Sequence, residues 1–86
     1  MLLKIFTQPS CPKCPPAKKL ATELTGQVDI IFYDVKTEDG LGEALSWDVM
    51  ATPSLVLTKN DKEIKTWVGE VPTKEEVLAL VKNGHR

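Results

Sequence analysis

Apolar residues recur along this chain in two rhythms, and the switches between them lay out seven elements. Leu2 to Thr7 is a short apolar run closed by Gln8-Pro9-Ser10, which predicts a buried strand. From Ala17 the rhythm becomes helical. Ala17, Leu20, Ala21 and Leu24 fall at i, i+3, i+4 and i+7, while Lys18, Lys19, Thr22 and Glu23 point the other way. That spacing predicts an amphipathic helix ending near Gly26. Val28 to Val35, with Ile30, Ile31, Phe32 and Tyr33, predicts a second strand. Leu41, Ala44 and Leu45 predict a short helix over 38–47, weakened by Gly40 and Gly42.

The second half continues in the same way. Leu55-Val56-Leu57 predicts a third strand and Lys59-Asn60-Asp61-Lys62 a turn. Glu63 to Val68 then alternates, with Ile64, Thr66 and Val68 on one side, as the returning strand of a hairpin. Thr73 and Glu76 have the spacing of a capping box at the start of a last helix. Val77, Leu78, Leu80 and Val81 supply its buried stripe, and Asn83-Gly84 stops it. The order β-α-β-α-β-β-α predicts one α/β domain over 1–86. Its first two strands should lie parallel through a right-handed crossover, and its last two antiparallel.

Composition adds what to exclude. With 86 residues, 42% hydrophobic and 27% charged, the chain is balanced like a globular domain rather than a disordered or membrane one. A net charge of −1 gives no reason to expect nucleic acid as a partner. No apolar run approaches bilayer length, and Met1 to Phe6 is too short for a secretory core. The expectation is a cytoplasmic protein with no membrane partner, and a fold able to stand as a monomer.

The candidate chemistry lies at one place. Both cysteines of the chain fall in Cys11-Pro12-Lys13-Cys14, at the head of the first helix. Two thiols so close cannot staple a fold, but they can open and close a small disulfide ring. Helix N–H groups and the positive end of the helix dipole, the Lys13 cation and the Cys14 thiol should all lower the pKa of Cys11. Pro12 suits a first helical position. Pro15-Pro16 removes two N–H groups, so regular helix is expected only from about Ala17. A closed metal site needs four ligands, and this chain offers two cysteines and His85, so a metal or iron–sulfur module is the lesser reading. Thr52-Pro53, directly before the third strand, is either a common strand-starting proline or a cis peptide that leaves the Thr52 backbone free for an extended substrate.

Together the CPxC motif at a strand-to-helix junction, Thr52-Pro53, the hairpin and the terminal helix resemble the thioredoxin/glutaredoxin family, in its short form and over essentially the whole chain. The resemblance implies a thioredoxin-like fold, a central four-stranded mixed sheet flanked by three helices. It implies a thiol–disulfide oxidoreductase that reduces protein disulfides and serves target enzymes in redox homeostasis. Cys11 would be its nucleophile, Cys14 its resolving thiol, and Pro53 cis, with Thr52 and Pro53 at the substrate. No cofactor beyond the Cys11–Cys14 disulfide is implied. The partners would be protein disulfides and an upstream reductase, or glutathione if the chain works as a glutaredoxin.

The halves of the chain lean differently. Cys-Pro-x-Cys resembles glutaredoxins, whereas Trp47-Asp48-Val49-Met50-Ala51-Thr52-Pro53 and Gly69 resemble thioredoxins. Val68-Gly69-Glu70-Val71-Pro72 stands where glutaredoxins carry a Gly-Gly pair and an Asp for glutathione. Ile5 stands where thioredoxins carry a buried acid, which leaves Lys13 and Lys18 as the candidates for electrostatic tuning.

Overall fold

The computed structural model describes residues 1–8, 14–49, 51–60 and 62–83. Its elements are β1 (Leu2–Thr7), α1 (Cys14–Leu24), β2 (Asp29–Asp34), α2 (Glu38–Ser46), β3 (Ser54–Lys59), β4 (Lys62–Val68) and α3 (Lys74–Asn83). The strands form one mixed sheet in the order β2-β1-β3-β4. β1 runs parallel to β2 and antiparallel to β3, and β3 pairs antiparallel with β4. The element order and strand directions are those the hydrophobic rhythms predict.

A central strand has two faces to bury, and β1 fills both. Leu3 and Ile5 join Leu55, Leu57 and Trp67 in a cluster with Ala17, Leu20 and Leu24 of α1 and Val77 and Val81 of α3. Phe6 points the other way, into a smaller cluster with Val56, Ala44 of α2 and Val49. α1 and α3 therefore cover one face of the sheet and α2 the other. Tyr33 stacks on Phe6 with ring centroids 5.2 Å apart. β2 forms an edge. Its odd residues donate toward β1, as the flanking bonds from Asp29 N to Met1 O and Val35 N to Thr7 O show. The backbone groups of Ile30 and Phe32 consequently face outward.

Two local features depart from the simple pattern. In β4, Lys65 is opposite Leu57 and Glu63 opposite Thr58, so Ile64 is an extra, bulged residue. The bulge moves Ile64 off the side of Thr66 and Val68 and onto the cluster that holds Trp67. The expected box at α3 forms by half. Glu76 N donates to Thr73 Oγ1 at 3.1 Å, while the Glu76 carboxylate turns to accept the Trp67 indole N–H at 2.6 Å. A buried indole needs a partner for its N–H, and that need takes the carboxylate.

The α2 start contains a signal the helix propensities obscure. Thr37 is its N-cap, its hydroxyl accepting Gly40 N at 3.0 Å and donating to Asp34 O at 2.7 Å. Gly40 is buried so tightly that an added Cβ would lie 1.9 Å from the Asp34 carbonyl oxygen, whereas one on Gly42 would meet nothing within 4 Å. The two glycines are therefore opposite in kind. Gly40→Ala is expected to lower stability by roughly 2–4 kcal/mol, in the range of strongly disruptive substitutions. Gly42→Ala should raise it by about 0.5–1 kcal/mol through helix propensity. Urea unfolding of both variants checks this, and equal effects at the two positions would overturn the packing argument.

Candidate functional site

Phe6, Ser54 and Val68 are aligned across the sheet, Phe6 opposite Ser54 and Ser54 opposite Val68. The exit of β1, the entry to β3 and the exit of β4 therefore lie at one end of the sheet. β1 leaves there through Thr7 and Gln8 toward the cysteine motif, and α1 begins on its far side at Cys14. Cys11, Pro12 and Lys13 lie outside the described residues, and Cys14 is described by its backbone alone. Helical geometry starts at Cys14 and includes Pro15 and Pro16, earlier than the expected onset at Ala17. First-turn amides have no intrahelical acceptor, so prolines at those positions cost no helix bond of their own.

The Thr52–Pro53 peptide bond is cis. Pro53 is buried and Thr52 half-buried at the same end of the sheet. Two further residues join this segment to the end of β4. Ser54, fully buried, donates its hydroxyl to Ala51 O and accepts Gly69 N at 3.3 Å. Gly69 has φ +72°, a conformation that favours glycine, and a Cβ there would sit 3.7 Å from Ala51 Cβ. One small hydroxyl thus fixes two loops against each other.

The loop into Pro53 is launched by the end of α2. Val49 N donates to Ala44 O at 2.9 Å and Asp48 N to Leu45 O at 3.2 Å, with Asp48 at φ 60°. This is a Schellman termination, with Asp48 at the position where glycine is common. Just before it, Trp47 Nε1 donates to Glu43 Oε1 at 2.9 Å. The same carboxylate oxygen pairs with the Lys4 ammonium, which lies 4.6 Å from the centre of the Trp47 ring. Lys4 is only 8% exposed, on the α2 side of β1. Hydrogen bonds from Lys4 and from Trp47 hold the Glu43 pKa below its ordinary value of 4.5, outweighing the opposing effect of burial.

Thr52 and Pro53 thus stand at the end of the sheet where β1 runs out toward the cysteine motif. Lys18 is exposed on α1 and lines a groove with Thr22 and Phe32. Ile5, six residues before Cys11, is fully buried among apolar side chains, so no carboxylate stands at that position. Sequence reasoning missed Ser54 and the Lys4–Glu43–Trp47 linkage. A lone lysine inside an apolar strand was the available signal for the linkage, since a buried ammonium requires an acid from another element.

With this geometry, the comparisons with known proteins are direct. The model of the thioredoxin domain family matches residues 1–82, and the chain belongs to that family. A probable thioredoxin of Archaeoglobus fulgidus is 30% identical over 86 residues, covering 98% of this chain and 92% of the relative. A thioredoxin of Methanocaldococcus jannaschii is 31% identical over 84 residues, covering 93% and 91%. Among solved structures, thioredoxin O2 of Arabidopsis thaliana superimposes with a TM-score of 0.78 at 17% identity, over 99% of this chain and 75% of that one. Thioredoxin 1 of Thermosipho africanus gives 0.72 at 19% identity, over 99% and 94%. The fold is thioredoxin-like.

Two expectations follow for the side chains that hold the loop. A Glu43 carboxylate with a lowered pKa contributes stability above its unfolded value near 4.5, and that contribution is lost as pH falls through the folded pKa. Glu43→Gln should therefore lower the unfolding midpoint at pH 7, with the gap to wild type closing as pH drops below about 4.5. A gap independent of pH would remove the ion pair from the account. Ser54→Ala leaves Ala51 O and Gly69 N without their partner and should cost about 1–3 kcal/mol by denaturant unfolding.

Proposed function

We propose that this protein is a thiol–disulfide oxidoreductase that reduces disulfides in other proteins through Cys11 and Cys14. What supports the reading is that β1 runs out toward the CPKC motif at the end of the sheet where the cis Thr52–Pro53 segment enters β3, in a member of the thioredoxin family. The Cys11 thiolate, favoured by the α1 dipole and by Lys13, attacks one sulfur of the substrate disulfide. A mixed disulfide forms and the other substrate sulfur leaves as a thiolate, which takes up a proton. Cys14 then loses its proton and attacks the Cys11 sulfur, releasing the second substrate thiolate and leaving a Cys11–Cys14 disulfide. Two electrons from an upstream dithiol donor restore the reduced pair.

The surroundings give two refinements. With Ile5 where thioredoxins carry an acid, the Cys14 proton goes to water or to the departing substrate thiolate, while Lys13 and Lys18 act only through their field. Gly69 followed by Glu70-Val71-Pro72, in place of a Gly-Gly pair with an Asp, favours a protein reductase over glutathione as electron donor. The substrate backbone pairs with Thr52, beside Pro53. The protein operates in a reducing compartment such as the cytoplasm.

Insulin reduction, followed by precipitation of the freed chain with each candidate donor in turn, tests the proposal. Wild type should turn over, Cys11→Ser should fall to background, and Cys14→Ser should accumulate a mixed disulfide visible by intact mass. Oxidation of wild type should remove about 2 Da, the two thiol hydrogens. Undiminished turnover by Cys11→Ser would end the assignment.

A further inference from the structure

The two edges of the sheet differ in kind. β4 carries Lys62, Glu63 and Lys65 exposed, and the bulge at Ile64 interrupts the row of backbone groups it presents. Charges and a bulge are common means of keeping a free edge from pairing. β2 has neither along its middle. Its register with β1 runs unbroken from Asp29 to Asp34, and Ile30, Ile31, Phe32 and Tyr33 fill the positions between those acids. Phe32 is 48% exposed and Ile31 38%. The N–H and C=O groups of Ile30 and Phe32 face outward, with no strand of the sheet to take them up.

A groove of about 420 Å³ runs beside this edge on the α1 side. Ile30 and Phe32 form its sheet wall, and Lys18, Ala21, Thr22 and Thr25 its helix wall. The hydroxyls of Thr22 and Thr25 are used within α1, on Lys18 O at 3.1 Å and Ala21 O at 2.9 Å, so neither requires a ligand. The groove thus offers mainly apolar surface, and the edge beside it offers a backbone ladder. An extended chain uses both, since a strand laid on β2 turns every second side chain toward α1. We propose that β2 and α1 form a docking site for an extended segment of a partner protein, added to the sheet as a fifth strand. The residues it would face define its chemistry. Apolar side chains oppose Ile30 and Phe32. Asp34 comes next on that face; its carboxylate accepts Lys36 N at 2.8 Å and has no ion pair among the described residues, so a basic side chain opposes it. A second copy of this chain fits less well, because its β2 brings no cation to Asp34. Antiparallel pairing is the more stable per residue, which orders the segment as basic, any, apolar, any, apolar. The site involves neither cysteine and stands apart from the redox reading.

The probe is the blocked peptide Ser-Lys-Thr-Leu-Thr-Val-Ser, titrated into the full-length reduced protein while backbone amide resonances are followed. The amides of Thr22, Ile30 and Phe32 should shift. Methylating the leucine nitrogen, which faces β2 opposite Phe32, should weaken binding about tenfold, the cost of one lost ladder bond and an unpaired backbone group. Methylating the threonine before it, whose N–H points to solvent, should leave binding nearly unchanged. Replacing the peptide lysine by aspartate should weaken binding about threefold, and Asp34→Lys should reverse that order. Phe32→Thr, checked for a native amide spectrum, should lose about fivefold. Equal binding of the two methylated peptides, shifts confined to β4 or to the redox end of the sheet, or no binding at millimolar peptide would each overturn the proposal. Concentration-dependent shifts along β2 in the protein alone would assign the edge to self-association and overturn it as well. None of these readouts depends on sulfur chemistry, so the insulin assay and this titration fail separately.

Discussion

The structure depends on the burial of β1 on both faces and along both edges. Like β3 it is paired on both sides, and it packs Leu3 and Ile5 against two helices and Phe6 against a third. Because β3 is antiparallel to β1, its entry must lie beside the exit of β1. The chain that leads to the CPKC motif and the loop that carries the cis Thr52–Pro53 bond, far apart in sequence, are thereby brought to one end of the sheet by strand pairing alone. Their meeting requires no long-range side-chain contact.

The two faces of the sheet do different work. On the α1 and α3 side the packing is almost wholly apolar, and the Trp67 indole N–H finds Glu76 at its margin. On the α2 side a buried ammonium is threaded into the layer. Lys4, Glu43 and Trp47 link the centre of the sheet to the last turn of α2, directly ahead of the loop that leads into Pro53. Such a pair is not a general source of stability, since desolvation offsets much of the attraction. Its effect is directional, because one carboxylate oxygen serves two donors and so limits where the helix end can sit. Ser54 completes the arrangement from the opposite side of the loop.

Much of this was legible in the sequence, for physical reasons. The seven elements follow from apolar spacing, since each strand and helix must turn its apolar residues to a shared core. The motif and Thr52-Pro53 could be picked out because cysteine pairs and X-Pro bonds have few conformational uses. What escaped was whatever depended on tertiary neighbours. Gly40 reads as a helix weakener until the carbonyl of Asp34 is seen to occupy the space of its Cβ. Ile64 reads as one member of an alternating strand until a bulge turns it to the other side. Glu76 reads as a cap until a buried indole claims its carboxylate. Lys4 reads as a polar interruption, although it marks the position where two layers are joined.

The outward row of β2 has a consequence for how these molecules meet at high concentration. Phe32 is nearly half exposed and Ile31 somewhat less, beside backbone groups that no strand of the sheet takes up. Such a margin invites sheet extension from one molecule to the next. Only residues with outward backbone groups can bond across such a seam, so an antiparallel match of two β2 margins centred on Phe32 would set Ile30 of each copy against Asp34 of the other. A carboxylate would then be set against an apolar side chain at both ends of the seam, so Asp34 acts as a guard against aggregation.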